Sequence, residues 1–143
     1  MPDRGHLLVQ PTLADVAQAV QSLQQALPQR LAEADRHALE IAFCEVLTNI
    51  VQHGFRGRVG APIAVTWEEQ AHALVIDVSD SGRAIPQARL DAAGAQTFAF
   101  DPADIDALPE GGFGLALLKT VFDVVDYRSE DGVNRMHLEK RIA

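Results

Sequence analysis

The order in which hydrophobic spacing changes along this chain of 143 residues constrains its fold more than any other feature. Short segments at the N-terminus, in the middle and at the C-terminus are strand-like, mostly with alternating apolar residues. Three other segments have the pattern of helices. The predicted order is β-α-α-β-β-loop-α-β-β. Because the strands come mostly as adjacent hairpins, we expect an α+β fold, a two-layer sandwich in which about three helices cover a mixed, mostly antiparallel sheet.

Capping and stop residues set the bounds of these elements. Thr12 can accept a hydrogen bond from the backbone N–H of Asp15 and so begin the first helix, which Pro28 ends. Gly54 is a typical stop for the second helix. The predicted elements are a strand at 6–10, helices at 12–28, about 34–53 and 114–122, and hairpins at 63–78 and 124–140.

Composition narrows the class of protein. Hydrophobic residues make up 48% and charged residues 22%, which is ordinary for one soluble globular domain. The net charge of −8 argues against a general binder of nucleic acid or anionic membranes, since such proteins need Lys and Arg. No apolar run approaches the ~20 residues that span a bilayer. A single cysteine, Cys44, excludes an internal disulfide and fits a reducing cytoplasm.

The second predicted helix carries three polar residues within an apolar sequence. Glu45, Asn49 and His53 follow at i, i+4 and i+8, so they form one narrow polar stripe. A solvated face is the ordinary explanation of such a stripe. An asparagine in mid-helix favours a functional explanation, because Asn is a poor helix former. The spacing alone leaves both explanations open.

A carboxylate ends the second strand of the first hairpin. Asp80 shares a face with the apolar residues Leu74, Ile76 and Val78, which places it on the expected core side. Such a carboxylate is unfavourable unless it is hydrogen-bonded. Gly82 leaves the backbone open to close approach by a ligand. Taken alone, the segment is also a good strand-ending turn.

Glycines precede the third predicted helix after a long segment, 81–112, that has no sustained hydrophobic period. A loop of this length inside a compact domain is usually functional. Gly111, Gly112 and Gly114 would expose unpaired N–H groups at a helix N-terminus, which favours anion binding. A flexible glycine-rich helix start is the alternative. A Walker P-loop does not match, because it requires glycine at the position of Leu118. The dinucleotide fingerprint does not match either, because it requires glycine or alanine at the position of Leu117.

Together these segments resemble the Bergerat-type (GHKL) ATP-binding fold of histidine kinases, gyrase-type ATPases and anti-sigma-factor serine kinases. They are similar to its N-box, G1 box and G2 box, here Glu45-x-x-x-Asn49-x-x-x-His53, Asp80-x-Gly82 and Gly112-x-Gly114-Leu115. The runs 45–53 and 122–127 look most like the anti-sigma kinase branch. The resemblance implies one histidine-kinase-like ATP-binding domain over 1–143, with an ATP lid at about 83–111.

The resemblance also implies site residues and cofactors. Glu45 would be the general base, and Asn49 would hold a Mg²⁺ ion that bridges the ATP phosphates. Asp80 would accept the adenine amino group, and Gly82 would let the base lie close. The residues so assigned to ATP binding are Asn49, His53, Asp80, Gly82, Ile85, Gly112, Phe113, Gly114 and Leu115.

The implied function is that of a cytoplasmic anti-sigma factor with serine/threonine kinase activity. Such a protein sequesters a sigma factor and transfers the γ-phosphate of Mg-ATP to a serine or threonine of an anti-sigma antagonist of the STAS type, and so regulates transcription by partner switching. Direct contact with nucleic acid or membrane is not expected, and a homodimer is one assembly left open. Two alternatives also stay open: a non-catalytic ATP-gated binding module, and the catalytic domain of a sensor histidine kinase.

Overall fold

The computed structural model of the protein describes residues 4–29, 31–54, 61–84 and 118–142. Two helices precede the central hairpin, and a helical turn at 118–121 precedes the last one. The elements are strand β1 (Arg4–Val9), helix α1 (Leu13–Ala26), helix α2 (Glu33–Asn49), a π-helical turn (Ile50–Gly54), and strands β2 (Ile63–Glu69), β3 (Ala73–Asp80), β4 (Val124–Glu130) and β5 (Val133–Arg141).

The five described strands form one sheet in the order β1-β2-β3-β5-β4. Each described pair of neighbours is antiparallel. Strand β1 lies at an edge, as its short apolar run before Pro11 predicts. Asp131 and Gly132 both have positive φ, 53° and 78°, which is the geometry of a two-residue hairpin turn between β4 and β5.

The helices cover one face of the sheet. Alternate residues of β3 and β5 are buried, and they share a single hydrophobic core with the apolar sides of α1 and α2. The opposite face of these strands carries exposed or half-buried polar residues such as Asp77 and His137. This is the predicted α+β two-layer arrangement. Its most buried large side chains are Leu23, Leu39, Phe43, Leu47, Ile63, Leu74, Ile76, Leu118 and Leu138.

The helix bounds test two local predictions. The backbone N–H of Asp15 donates to Thr12 Oγ1 at 3.2 Å, so the predicted N-cap is confirmed. The second helix begins at Glu33, close to the expected position, but its α-helical part ends at Asn49. The remaining turn, Ile50–Gly54, is π-helical, so the prediction of one regular helix through His53 is wrong in its last turn. A π-helix bonds residue i to i+5, which breaks the i+4 repeat of the polar stripe after Asn49.

Candidate functional site

A buried carboxylate lies where β3 ends. Asp80 is 8% exposed and lies on the core side with Leu74, Ile76 and Val78, as its position in the alternation predicts. The backbone N–H of Gly82 donates to Asp80 Oδ1 at 2.8 Å. The structure therefore brings the two predicted G1-box residues together in a turn that the aspartate itself stabilises.

Burial dominates the electrostatics of this carboxylate. It raises the pKa of Asp80 above its ordinary value, while the hydrogen bonds from Asn134 and Gly82 act in the opposite direction. An ionised group at the margin of a hydrophobic core opposes folding unless other groups compensate it. A perturbed carboxyl group beside a glycine turn is therefore a candidate for ligand recognition.

Two residues that sequence reasoning missed complete this part of the site. Asn134 is 2% exposed and lies on β5 directly opposite Asp80. Its Nδ2 donates to Asp80 Oδ1 at 3.0 Å and to the carbonyl oxygen of Gly82 at 2.9 Å. Ser129 on β4 donates through Oγ to Asn134 Oδ1 at 2.7 Å. A signal was present in the sequence, since Asn134 interrupts the apolar alternation that continues at Met136 and Leu138.

The other predicted polar pair lies on α2. Glu45 and Asn49 are both half-buried and stand one turn apart, on either side of the buried Val46 and Leu47. Among the described residues, no side chain forms a hydrogen bond or ion pair with either of them. Asn49 is the last α-helical residue before the π turn, and such turns occur frequently at functional sites.

The structure covers only part of the predicted site. The backbone of His53 lies in the π turn. Arg83 and Ala84, at the start of the predicted lid, are exposed. The rest of the lid, from 85 to 111, lies outside the described residues. So do five of the residues assigned to ATP binding: Ile85, Gly112, Phe113, Gly114 and Leu115.

The described residues also bear on two other classes of site, metal centres and membrane spans. No three or more His, Cys, Asp or Glu side chains in this part of the chain are grouped so that they could hold a metal ion. In the same residues, none of the helices has both the length and the apolar character that a membrane crossing needs.

Solved structures share this fold. The RsbU and RsbW domains of Rv1364c from Mycobacterium tuberculosis align over 98% of this chain and 32% of theirs, with a TM-score of 0.66 and 16% identity. The Acinetobacter baumannii histidine kinase AdeS aligns over 96% of this chain and 68% of its own, with a TM-score of 0.52 and 13% identity. These similarities identify the fold and confirm the predicted GHKL architecture.

Curated relatives extend the similarity to sequence. The chain is 35% identical over 98 residues to the serine-protein kinase RsbW of Bacillus pumilus, covering 66% of this chain and 59% of that protein. It is 31% identical over 97 residues to the serine-protein kinase RsbW of Listeria monocytogenes, covering 67% and 60%. The chain thus spans about 60% of the length of these relatives. The family model described as a histidine kinase-like ATPase domain matches residues 9–140, and the chain therefore belongs to the histidine kinase-like ATPase domain family.

Proposed function

We propose that this protein is an ATP-dependent serine/threonine kinase that acts as an anti-sigma factor and phosphorylates an anti-sigma antagonist. The observation that carries the proposal is the buried Asp80 carboxylate, which is hydrogen-bonded at Oδ1 beside the Gly82 turn. Membership of the ATPase family and the similarity to proteins named serine-protein kinase RsbW support the choice of reaction.

The adenine end of the proposed site consists of Asp80 and Gly82. Asp80 Oδ1 already accepts hydrogen bonds from Gly82 and Asn134, so we assign Oδ2 as the acceptor for the exocyclic amino group of adenine. Gly82 has no side chain to obstruct the base. A carboxylate acceptor and a donor-bearing base are chemically matched, so the described residues fit this part of ATP.

The phosphate end of the proposed site lies at the end of α2. Mg²⁺ prefers oxygen ligands and usually takes one or two from the protein, with phosphates and waters completing its shell. The Asn49 side chain can supply one such oxygen from its half-buried position, so the donor chemistry fits. When bound, Mg²⁺ would neutralise charge on the β- and γ-phosphates. We assign further ATP contacts to His53, Ile85, Gly112, Phe113, Gly114 and Leu115.

Glu45 is the proposed general base. It lies one helical turn before Asn49, so it would stand beside the γ-phosphate of a nucleotide held there. Its carboxylate would accept the proton of an incoming serine or threonine hydroxyl while the oxygen forms a bond to the γ-phosphorus. The bond from that phosphorus to the β,γ-bridging oxygen breaks, and ADP leaves. General-base assistance of this kind is commonly worth ~10²–10⁴ in rate.

The proposed partners follow from the resemblance to the anti-sigma kinases. They are an antagonist of the STAS type, which receives the phosphate, and a sigma factor, which the unphosphorylated antagonist displaces. We place this exchange in the cytoplasm, in keeping with the single cysteine of the chain. A homodimer is the proposed assembly.

Transfer of labelled phosphate tests this function directly. The purified chain is incubated with Mg²⁺, γ-labelled ATP and candidate antagonists from the same genome, and the phosphorylated residue is identified. We expect label on a serine or threonine of one antagonist. Glu40→Gln is the matched control for a Glu45→Gln variant. Glu40 lies on the same helix, but its carboxylate accepts a hydrogen bond from Gln24 Nε2 and has no proposed role in transfer. Binding without transfer would favour the ATP-gated module, and label on histidine would favour a histidine kinase.

A further inference from the structure

We propose that Asn134, oriented by Ser129, is a positioning residue that holds the Asp80 carboxylate as an acceptor and so selects a purine with an amino group at position 6. This inference rests on the proposed ATP site, because Asp80 must contact the base. It assigns roles to two residues that are far from Asp80 in sequence and that the motifs do not include. The supporting evidence is the hydrogen-bond network between β3, β5 and β4.

The Asn134 amide has one consistent orientation. Its two N–H groups have separate acceptors, Asp80 Oδ1 at 3.0 Å and the Gly82 carbonyl oxygen at 2.9 Å. Its carbonyl oxygen accepts from Ser129 Oγ at 2.7 Å. If the amide were flipped, its oxygen would face two acceptors. Because Asn134 is almost fully buried, water could not readily relieve that repulsion.

The oriented amide fixes the carboxylate in turn. Asp80 Oδ1 receives donors from two directions, the Gly82 backbone and the Asn134 side chain, which restrains rotation of the carboxyl group. Within the part of the chain that the structure describes, both hydrogen bonds of this carboxylate fall on Oδ1. Oδ2 is therefore the atom that presents an acceptor to the base.

An acceptor at Oδ2 discriminates between purines. Adenine carries an amino donor at position 6, whereas guanine and hypoxanthine carry a carbonyl acceptor there. A carbonyl opposite the ionised carboxylate would leave two acceptors facing each other in a buried site. Buried groups that lose their partner reject the wrong ligand strongly. Protonation of Asp80 would remove this discrimination, because a carboxylic acid can donate to a carbonyl.

The Asn134 hydrogen bond also favours the ionised form of the Asp80 carboxylate over the protonated form. Burial raises the pKa of Asp80, and the two causes that lower it are the hydrogen bonds from Asn134 and Gly82. Loss of the Asn134 donor removes one of them, so the pKa of Asp80 rises further. Discrimination should then weaken as the pH falls, which a merely structural role for Asn134 would not produce.

The test compares ATP with inosine triphosphate, which has a carbonyl in place of the 6-amino group. Calorimetry measures Kd for both nucleotides at several pH values from acidic to neutral, with wild type, Asn134→Ala, Ser129→Ala and the control Ser79→Ala. Ser79 is on β3 next to Asp80 but on the opposite face. We expect Asn134→Ala to narrow the ATP preference about 5–150-fold and Ser129→Ala about 2–10-fold, more at the lower pH, with Ser79→Ala unchanged.

Folding of each variant is checked by thermal unfolding with the fluorescence of the single tryptophan, Trp67. If Asn134→Ala does not fold, Ser129→Ala decides, because it removes only the hydroxyl that orients the amide. Folded variants that bind both nucleotides with an unchanged ratio and pH profile would overturn the positioning role. Failure of the wild type to bind ATP would overturn the proposed function and this inference with it, so the two failures are distinguishable.

Discussion

The two parts of the proposed site are built differently. At the sheet end, Asp80, Gly82, Asn134 and Ser129 satisfy one another through four hydrogen bonds that join three strands. At the helix end, Glu45 and Asn49 are half-buried and have no hydrogen-bond or ion-pair partner among the described residues. The first part is held together by hydrogen bonds within the fold, whereas the described residues supply no such bonds to the polar side chains of the second.

This difference matches the two proposed tasks of the site, which are recognition of the base at the sheet end and phosphoryl transfer at the helix end. A buried acceptor whose position is restrained before binding gives specificity, because no ordering is required when the base arrives. The helix end carries the Asn49 amide and the Glu45 carboxylate. Their proposed roles, in binding Mg²⁺ and in accepting a proton, require bound phosphates and an incoming hydroxyl. Variants at the sheet end should therefore be defective in nucleotide binding, and the Glu45 variant at the helix end in phosphoryl transfer.

The largest effect is expected from Glu45→Gln. This change keeps the shape of the side chain but removes the base, so phosphoryl transfer to the antagonist should fall by at least ~100-fold. ATP binding, measured by calorimetry, should stay near the wild-type value because the sheet end is intact. Transfer at the wild-type rate would show that Glu45 is not the base, although the kinase assignment would stand.

Asp80→Asn should weaken ATP binding itself, in contrast to Glu45→Gln. Loss of the ionised acceptor from a buried site is expected to lower ATP affinity about 5–150-fold, equivalent to ~1–3 kcal/mol. Calorimetry measures this directly. Unchanged affinity would contradict the assignment of Asp80 to the adenine.

The same variant should not lose stability. Burial raises the pKa of Asp80 in the folded protein, so the folded state binds its proton more tightly than the unfolded state does. This residue therefore contributes stability that increases as the pH falls through its folded pKa, and its ionised form opposes folding at neutral pH. Asp80→Asn should remove that part of the pH dependence. Thermal unfolding across acidic and neutral pH provides the measurement.

Asn49→Ala tests the dependence of the helix end on metal. Outer partners of metal ligands are commonly worth ~10–100-fold in metal affinity, so loss of a ligand should cost at least about tenfold in Mg²⁺-dependent ATP binding. Binding measured without Mg²⁺ should change much less. Equal losses with and without Mg²⁺ would point to a structural role for Asn49.

The smallest effect is expected from His137, on the solvent-facing side of β3 and β5, and it concerns stability. His137 Nε2 lies 2.8 Å from Glu139 Oε2, and its Nδ1 lies 2.6 Å from Asp77 Oδ1. Glu139 is the main cause of a raised pKa of His137, and Asp77 adds to it, against a smaller opposing effect of burial. The stabilisation is fully present below the unfolded pKa of about 6.5 and is lost as the pH rises through the folded pKa.

His137→Gln should therefore reduce stability under acidic conditions and little above the folded pKa. The groups are partly exposed, so solvent screening should keep the effect below about 1 kcal/mol. Thermal unfolding of wild type and variant as a function of pH measures it. ATP affinity should not change, since Asp80 lies on the other face. Parallel pH profiles for the two proteins would refute the stabilising role of this histidine.

The sequence by itself determined the class of fold, and it nominated Asp80, Glu45 and Asn49 for the proposed site. Apolar residues repeat with a period near two in strands and near 3.6 in helices. This local signal predicted the order of strands and helices without knowledge of which elements pack together. Alternation along one strand placed Asp80 on the core face, and helical spacing placed Glu45 and Asn49 one turn apart. The Thr12 hydroxyl caps α1 for a purely local reason, because its donor, the N–H of Asp15, lies only three residues further along the chain.

The tertiary structure decided the rest. Asp80 and Asn134 are 54 residues apart, and their contact exists because β3 pairs with β5 in one particular register. A shift by one residue would turn Asn134 to the solvent face, and no local pattern specifies which strands become neighbours. The π turn after Asn49 likewise departs from the helical repeat that the sequence predicts. Local chemistry can nominate a carboxylate for a site, but only packing of distant segments supplies the groups that hold it in place.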